Sequence, residues 1–189
     1  MKSYGIEKSH SIYKGKYKLQ IEEVERKGFT VLSGVFSDGE ISDYTLLVNQ
    51  CLKKQEEEFG LENLTRINEM NAARMPFLQE PELRDLFMAD AILEMVELRI
   101  GSVFHLHLQN AIVNKGKQEH HQSSWHRDLP YQSWTISKPI AFNAFVCLTD
   151  FNELNGATFI LPYSQHFDQF PSEEFADQNK IQINAKKGD

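Results

Sequence analysis

The residues best suited to chemistry are a histidine and an aspartate two positions apart, His126 and Asp128, in a segment with an extended pattern. On a β-strand, residues i and i+2 point to the same face, with Cα atoms roughly 6.5 to 7 Å apart. Two neighbouring ligands of one ion, each bound at about 2.1 Å, have donor atoms about 3 Å apart. An imidazole and a short carboxylate on one face can lean together that far, so the pair predicts a site for a single divalent metal.

The spacing alone is not specific. With 7 His and 27 acidic residues in 189 positions, chance predicts about one His-x-acid triplet, and the chain contains a second one at residues 166–168. The alternative for either triplet is a surface histidine beside a solvated acid. Further histidines could supply a metal ligand, namely His105, His107, His120 and His121. A hydrogen-bonded place in a core is the more common role for the first two, and exposure in a loop is the more common role for the last two.

Composition excludes several classes of protein. The length of 189 residues, with 41% hydrophobic and 25% charged residues, is that of one ordinary globular domain. The net charge of -7 and the scattered lysines leave no basic face, which argues against nucleic-acid binding. Cys51 and Cys147 fall in different elements, which argues for a reducing compartment. With no signal core and no apolar run near 18 residues, we expect a cytoplasmic protein without membrane association.

The elements that must position the metal pair begin with helices. Residues 17–27 have a helical pattern that ends at Gly28, and a short strand signal follows at 29–32. The tetrapeptide 37–40 is a capping box, Ser-Asp-Gly-Glu, that opens a helix running to about Phe59. A further helix follows Pro81 and ends near Gly101. These helices predict a structural flank.

After Gly101 the hydrophobic period changes from 3.6 to 2. Strand patterns occur at residues 103–115, 140–148, 156–162 and 181–185, with turn signals between them. Helices followed by several short strands predict a mostly β fold with flanking helices, a barrel or jelly roll. We expect one domain, residues 1–189, with a mainly helical flank at 1–100 and a β core at 101–189.

Four patches of sequence resemble a known family. They are Lys-Gly-Phe-Thr-Val-Leu-Ser-Gly-Val-Phe-Ser at 27–37, Ile-Val-Asn-Lys at 112–115, Trp-His-Arg-Asp at 125–128 and Asn-Gly-Ala-Thr-Phe-Ile-Leu-Pro-Tyr-Ser-Gln-His at 155–166. In this order they resemble the phytanoyl-CoA dioxygenase family, from about Glu25 to the end. The resemblance implies a cupin-like double-stranded β-helix that uses Fe(II), 2-oxoglutarate and O2.

The resemblance also assigns residues. It makes His126 and Asp128 the catalytic iron ligands and gives His166 a structural or entrance position, so the second triplet is the chance one. Two histidines and a carboxylate on one face of Fe(II) leave three positions for the oxo acid and O2. The implied reaction hydroxylates a small molecule and releases succinate and CO2. Related halogenating enzymes have a small residue in place of the carboxylate, so Asp128 favours hydroxylation.

The chain departs from the family pattern at its end. In the family, a second ligand histidine lies about ten residues after a Gly-Asp pair, and an arginine that binds 2-oxoglutarate follows it. This sequence stops at Gly188-Asp189, so we expect both residues, and the C-terminal strands, beyond Asp189. Two alternatives stay open: a catalytically silent β-helix that binds a ligand, and a cupin-like metal enzyme that uses no 2-oxoglutarate.

The resemblance suggests two cosubstrate-binding residues. Gln109 lies on a strand whose matching position contacts 2-oxoglutarate in relatives, and Arg74 falls within one position of a basic residue that reaches it. The alternatives are a glutamine satisfied by neighbouring backbone and an ordinary surface arginine. Neither the substrate nor the oligomeric state is indicated by the sequence.

Side chains around the metal pair are expected to shape the substrate entrance. This prediction covers Arg127, Tyr131 and Trp134, since aromatic side chains beside a metal form apolar pockets and carry a polar group. Trp134 could instead cover the mouth of the barrel. Asn143 and Cys147 belong to an alternating set in the strand at 140–148, and parity alone does not say which set faces the cavity.

Overall fold

The computed structural model describes residues 15–114, 124–128 and 138–189. The helices are α1 (Lys18–Lys27), α2 (Asp38–Phe59), α3 (Leu61–Arg66), α4 (Asp85–Met88), α5 (Asp90–Ile100) and α6 (Glu173–Asn179). The strands are β1 (Ala72–Arg74), β2 (Asn110–Ile112), β3 (Phe159–Ile160) and β4 (Ile181–Gln182). Short 3₁₀ helices cover Pro76–Leu78, Pro81–Arg84 and Ser164–His166.

The ends of the first two helices follow the local signals in the sequence. Gly28 ends α1 with a φ of 95°, and its N–H donates to the Val24 carbonyl at 2.8 Å. At the start of α2, the Glu40 N–H donates to Ser37 Oγ, and the Ser37 N–H donates to Glu40 Oε2 at 2.8 Å. The predicted capping box is therefore confirmed, as is the helix that it opens.

The main core lies against α2. Its buried face is formed by Ile41, Tyr44, Val48 and Cys51, at the i, i+3, i+7, i+10 spacing of one helix face. Burial raises the pKa of the Cys51 thiol above its ordinary value.

The region predicted as a single helix after Pro81 is divided. It begins with the 3₁₀ helix, continues through α4, and leaves helical geometry at Ala89, where ψ is 132°. Asp90 then starts α5, and its negative carboxylate is stabilised by the positive end of the helix dipole. Helix α3 and strand β1 lie between α2 and this region, whereas the predicted strand at residues 29–32 is not formed.

Strands β1 and β2 pair antiparallel, with Ala73 opposite Ala111. The pairing continues at both ends, since the Met75 N–H donates to the Gln109 carbonyl at 2.7 Å and the Val113 N–H to the Asn71 carbonyl at 2.9 Å. Strand β2 covers only part of the predicted strand at 103–115, and residues 102–108 are exposed.

The C-terminal segment 181–189 pairs antiparallel with two stretches of chain. Its first part, β4, pairs with β3, and its later part pairs with residues 147–151 through a bridge between Phe151 and Ala185. Because both stretches are antiparallel to one segment, they run in the same direction, and residues 152–157 form an excursion between them.

The pair Gly188 and Asp189 joins this β region to the start of α2. The Phe36 N–H donates to the Gly188 carbonyl at 3.0 Å, and the Gly34 N–H donates to Asp189 Oδ1 at 2.9 Å. The other carboxylate oxygen of Asp189 accepts from the Lys186 N–H at 2.7 Å. Backbone bonds from the same pair to Cys147 complete the junction, and burial raises the pKa of the Cys147 thiol to about 11.

In the described ranges these short antiparallel pairs do not close into a barrel. The double-stranded β-helix and the single-domain division at residue 100 therefore stay predictions. None of the helices among the described residues is long and apolar enough to cross a membrane.

Candidate functional site

The imidazole of His126 is oriented by its own chain. Its Nδ1 lies 2.7 Å from the carbonyl oxygen of Ser124. A carbonyl can only accept a hydrogen bond, so Nδ1 carries the proton in the neutral ring and Nε2 keeps its lone pair. A backbone carbonyl holding the second ring nitrogen is the usual arrangement of a metal-binding histidine.

The free nitrogen of His126 faces the carboxylate of Asp128. The distance from Nε2 to Asp128 Oδ1 is 3.8 Å, and the two side chains are 49% and 65% exposed. Neighbouring ligands of one ion have donors about 3 Å apart, so side-chain rotations that close the gap by about 1 Å would suffice. The two side chains project together, and the donor set of one imidazole and one carboxylate fits Fe(II).

The second oxygen of Asp128 has a different partner. Asn143 Nδ2 donates to Asp128 Oδ2 at 2.6 Å. Asn143 is exposed, whereas Val146 and Leu148 on the same segment pack against the core on α2. The sequence identified Asn143 only as one member of an alternating set, because choosing between the sets needed the contacts of Val146 and Leu148.

Arg127 points to a different part of the chain. Its Nη2 donates to the Phe167 carbonyl at 2.5 Å, and its guanidinium carbon lies 5.9 Å from the centre of the Phe170 ring. Along an extended chain the residue between two ligands faces the opposite way. Arg127 therefore anchors the back of the metal-binding segment, while its predicted role at the substrate entrance stays a prediction.

Arg74, predicted to bind the cosubstrate, forms a bidentate ion pair. Its Nε and Nη2 donate to Glu69 Oε2 and Oε1 at 2.8 and 2.5 Å. This pairing raises the pKa of Arg74 above its ordinary value. A cosubstrate carboxylate would have to compete with Glu69 for the same edge of the guanidinium.

Gln109, the other predicted cosubstrate residue, bridges two backbone groups. Its Nε2 donates to the Leu83 carbonyl at 2.9 Å, and its Oε1 accepts from the Phe77 N–H at 3.3 Å. The side chain thus links the start of β2 to both 3₁₀ helices, at Pro76–Leu78 and Pro81–Arg84. This is the arrangement of the backbone-satisfied alternative, and the cosubstrate role is untested.

The second triplet lies in a stretch that docks on α1. The Tyr163 N–H donates to the Lys27 carbonyl at 2.8 Å, and Gln165 Nε2 donates to the carbonyls of Glu25 and Arg26 at 3.2 Å. His166 Nε2 is 3.0 Å from the same Gln165 nitrogen. These contacts agree with the scaffold position that the family resemblance gave to His166.

The other predicted site residues cannot all be placed. His105 and His107 lie in the exposed stretch 102–108. His120, His121, Tyr131 and Trp134 lie outside the described residues. Within the part of the chain that the structure describes, no group of three or more His, Cys, Asp or Glu side chains could hold a metal. A third protein ligand is thus not placed beside His126 and Asp128.

Comparison with known proteins gives one finding. The family model for phytanoyl-CoA dioxygenase (PhyH) matches residues 24–189. Searches of curated proteins and of solved structures give no significant match. The matched range contains His126, Asp128 and Asn143.

Proposed function

The chain belongs to the phytanoyl-CoA dioxygenase family, and from this premise we propose that it hydroxylates a small molecule, using Fe(II), 2-oxoglutarate and O2. At the level of the family, the chain is an iron- and 2-oxoglutarate-dependent oxygenase. The observation that carries the proposal is that His126 Nε2 faces Asp128 Oδ1 at 3.8 Å inside the matched range.

Each residue has a separate role at the site. His126 would bind Fe(II) through Nε2, and Asp128 would bind it through Oδ1 and offset part of its charge. The Ser124 carbonyl holds the imidazole ring, and Arg127 anchors the segment through the Phe167 carbonyl. Bound Fe(II) supplies the redox chemistry by which O2 and 2-oxoglutarate convert a substrate C–H bond to C–OH, yielding succinate and CO2. One oxygen atom enters the alcohol and the other enters succinate.

The fold proposed for this activity is a double-stranded β-helix. The antiparallel pairs β1–β2 and β3–β4 support it, as do the apolar side chains of Phe104, Leu106 and Leu108, which are exposed at alternating positions. Packed sheets cover such faces. Amide hydrogen exchange tests this proposal: slow exchange across residues 103–108 is expected, and exchange at the rate of a free chain there would contradict it.

We also propose that the protein works in the cytoplasm. Cys51 and Cys147 are free, buried thiols, which suits a reducing compartment. Localisation of a tagged full chain tests this, and a tagged protein found outside the cytoplasm would contradict it.

Succinate release tests the proposed reaction. The full chain is prepared without O2, loaded with Fe(II), and then given 2-oxoglutarate, ascorbate, O2 and a panel of candidate substrates. Succinate should form only when iron, 2-oxoglutarate and O2 are all present, and a true substrate should increase its rate. Absence of both turnover and iron retention would support the silent ligand-binding protein. Turnover that needs metal but no 2-oxoglutarate would support the cupin-like enzyme.

A further inference from the structure

We propose that Asn143 is a positioning residue that orients the Asp128 carboxylate for metal binding. It donates a hydrogen bond to the oxygen that the metal does not use. The inference rests on the proposed function in one respect, namely that His126 and Asp128 bind a metal.

The two oxygens of Asp128 have separate partners. Oδ1 faces His126 Nε2 at 3.8 Å, whereas Oδ2 accepts from Asn143 Nδ2 at 2.6 Å. Hydrogen bonds to ionised acceptors are short and about twice as strong as neutral ones. The terminal torsion of an aspartate is otherwise broad. A donor fixed at Oδ2 therefore holds Oδ1 toward the imidazole and lowers the entropy lost when a metal binds.

Asn143 is attached to the packed part of the molecule. It lies on the same segment as Val146 and Leu148, which pack against the core on α2. On that segment Cys147 is also bonded through its backbone to Gly188 and Asp189. The metal pair itself is exposed, so the amide connects an exposed carboxylate to a buried framework.

The chemistry of an amide suits this position. A lysine or arginine at the same place would neutralise the carboxylate and compete with a cation for it. A second carboxylate would be repelled by Asp128 in the absence of metal. A neutral donor orients Asp128 and leaves its full negative charge available to the ion.

Cobalt(II) titration of the full chain tests the proposal, with Co(II) replacing Fe(II) because it is stable in air. We expect Asn143→Leu, which has a similar volume and no donor, to weaken Co(II) binding about tenfold or more, the range for outer partners of metal ligands. Asn143→Gln keeps an amide on a longer arm and should recover part of the affinity. The free energy of unfolding of the metal-free variants should match wild type, since Asn143 is exposed.

A matched control is Asn179→Leu. Asn179 is also exposed, and its amide donates to the Phe175 carbonyl of its own helix at 2.8 Å. This variant should bind Co(II) as wild type does. If Asn143→Leu fails to fold, Asn143→Ala replaces it in the same titration.

The outcomes separate this inference from the proposed function. Equal Co(II) affinity for wild type and Asn143→Leu overturns the inference alone. The inference is also overturned if Asn143→Leu lowers the free energy of unfolding of the metal-free protein by as much as it lowers the free energy of Co(II) binding. Wild-type protein that binds no Co(II) overturns the inference together with the metal-dependent function. Tight Co(II) binding that depends on Asn143 supports the inference. If the Fe(II)-loaded chain then releases no succinate, the proposed reaction alone is overturned.

Discussion

The helical core and the metal-binding segment are built in opposite ways. In the core, Ile41 and Leu83 are 0% exposed and pack among many apolar neighbours. In the metal-binding segment, His126 and Asp128 are about half exposed or more, and a few polar contacts hold them. Apolar burial dominates the free energy of folding. The oriented His126 nitrogen and Asp128 carboxylate serve the proposed metal binding instead.

The difference means that stability and metal chemistry should be separable by mutation. Removing an exposed ligand eliminates the site at little cost to folding, whereas removing a buried methyl group lowers stability without touching the ligands. Metal binding in turn should stabilise the folded chain, because an ion that binds only the native state shifts the folding equilibrium.

The largest effect is expected from Asp128→Ala. Loss of the carboxylate removes a proposed iron ligand, so hydroxylation should fall to background and iron binding should weaken. The free energy of unfolding of the metal-free protein should change by no more than about 0.5 kcal/mol because the side chain is exposed. Succinate assays, iron retention and urea denaturation of the same sample measure the three quantities.

Asp168→Ala is the control for Asp128→Ala, because Asp168 occupies the same place in the second His-x-Asp triplet. It should leave hydroxylation and iron binding near wild type. Equal damage from the two substitutions would overturn the assignment of the second triplet to the scaffold.

A large effect of the opposite kind is expected from Leu83→Ala. The side chain is completely buried in the core on α2, and such truncations lower the free energy of unfolding by about 2 to 5 kcal/mol. Leu46→Ala is the control because Leu46 is exposed on α2, so it should cost about 0.5 kcal/mol or less. Urea denaturation measures both, and equal losses would contradict the core described above. Cobalt affinity of the folded Leu83 variant should be unchanged.

Gly188→Ala should cost slightly less and act at the junction of the two regions. A Cβ at Gly188 would overlap the Phe36 carbonyl oxygen, and φ at Gly188 is 90°. Positive φ and overpacking together should lower the free energy of unfolding by about 2 to 4 kcal/mol.

Gly34→Ala separates these two terms. Gly34 has a φ of 67°, and a Cβ there would meet nothing within 4 Å. This variant should lose only the conformational term, about 1 to 2 kcal/mol. Thermal or urea unfolding of the two variants gives the comparison, and an equal loss would show that the contact with Phe36 contributes nothing.

The features that the sequence predicted are those set by neighbouring residues. The Ser37 capping box and the Gly28 terminator act within one helical turn, so α1 and α2 were correctly bounded. The prediction of one continuous helix after Pro81 was wrong, because nothing in the local composition indicates the extended geometry of Ala89. The strand at 103–115 depends on partners elsewhere in the chain, and periodicity identifies no partner.

The candidate site divides in the same way. His126 and Asp128 were predicted from a spacing of two residues together with the family resemblance of the sequence around them. The contact of Asp128 with Asn143 spans 15 positions, and that of Arg127 with Phe167 spans 40. Such contacts depend on how loops and strands return to the same place. A pattern along the chain does not contain that information.

The smallest effect in this comparison is expected at the start of α2. Ser37→Ala removes the side-chain acceptor of the capping box and should lower the free energy of unfolding by about 1 kcal/mol. Hydrogen bonds from the Ser37 side chain and backbone hold the pKa of Glu40 below its ordinary value of 4.5. A carboxylate with a lowered pKa stabilises the fold above pH 4.5, and that contribution is lost as the pH falls through the lowered pKa. The difference between wild type and Ser37→Ala should therefore be constant from about pH 5 to 8 and shrink in acid. The control is Ser42→Ala, which removes an exposed hydroxyl one turn later. Its difference in stability from wild type should not shrink in acid. If it does shrink, the pH dependence belongs to some other carboxylate.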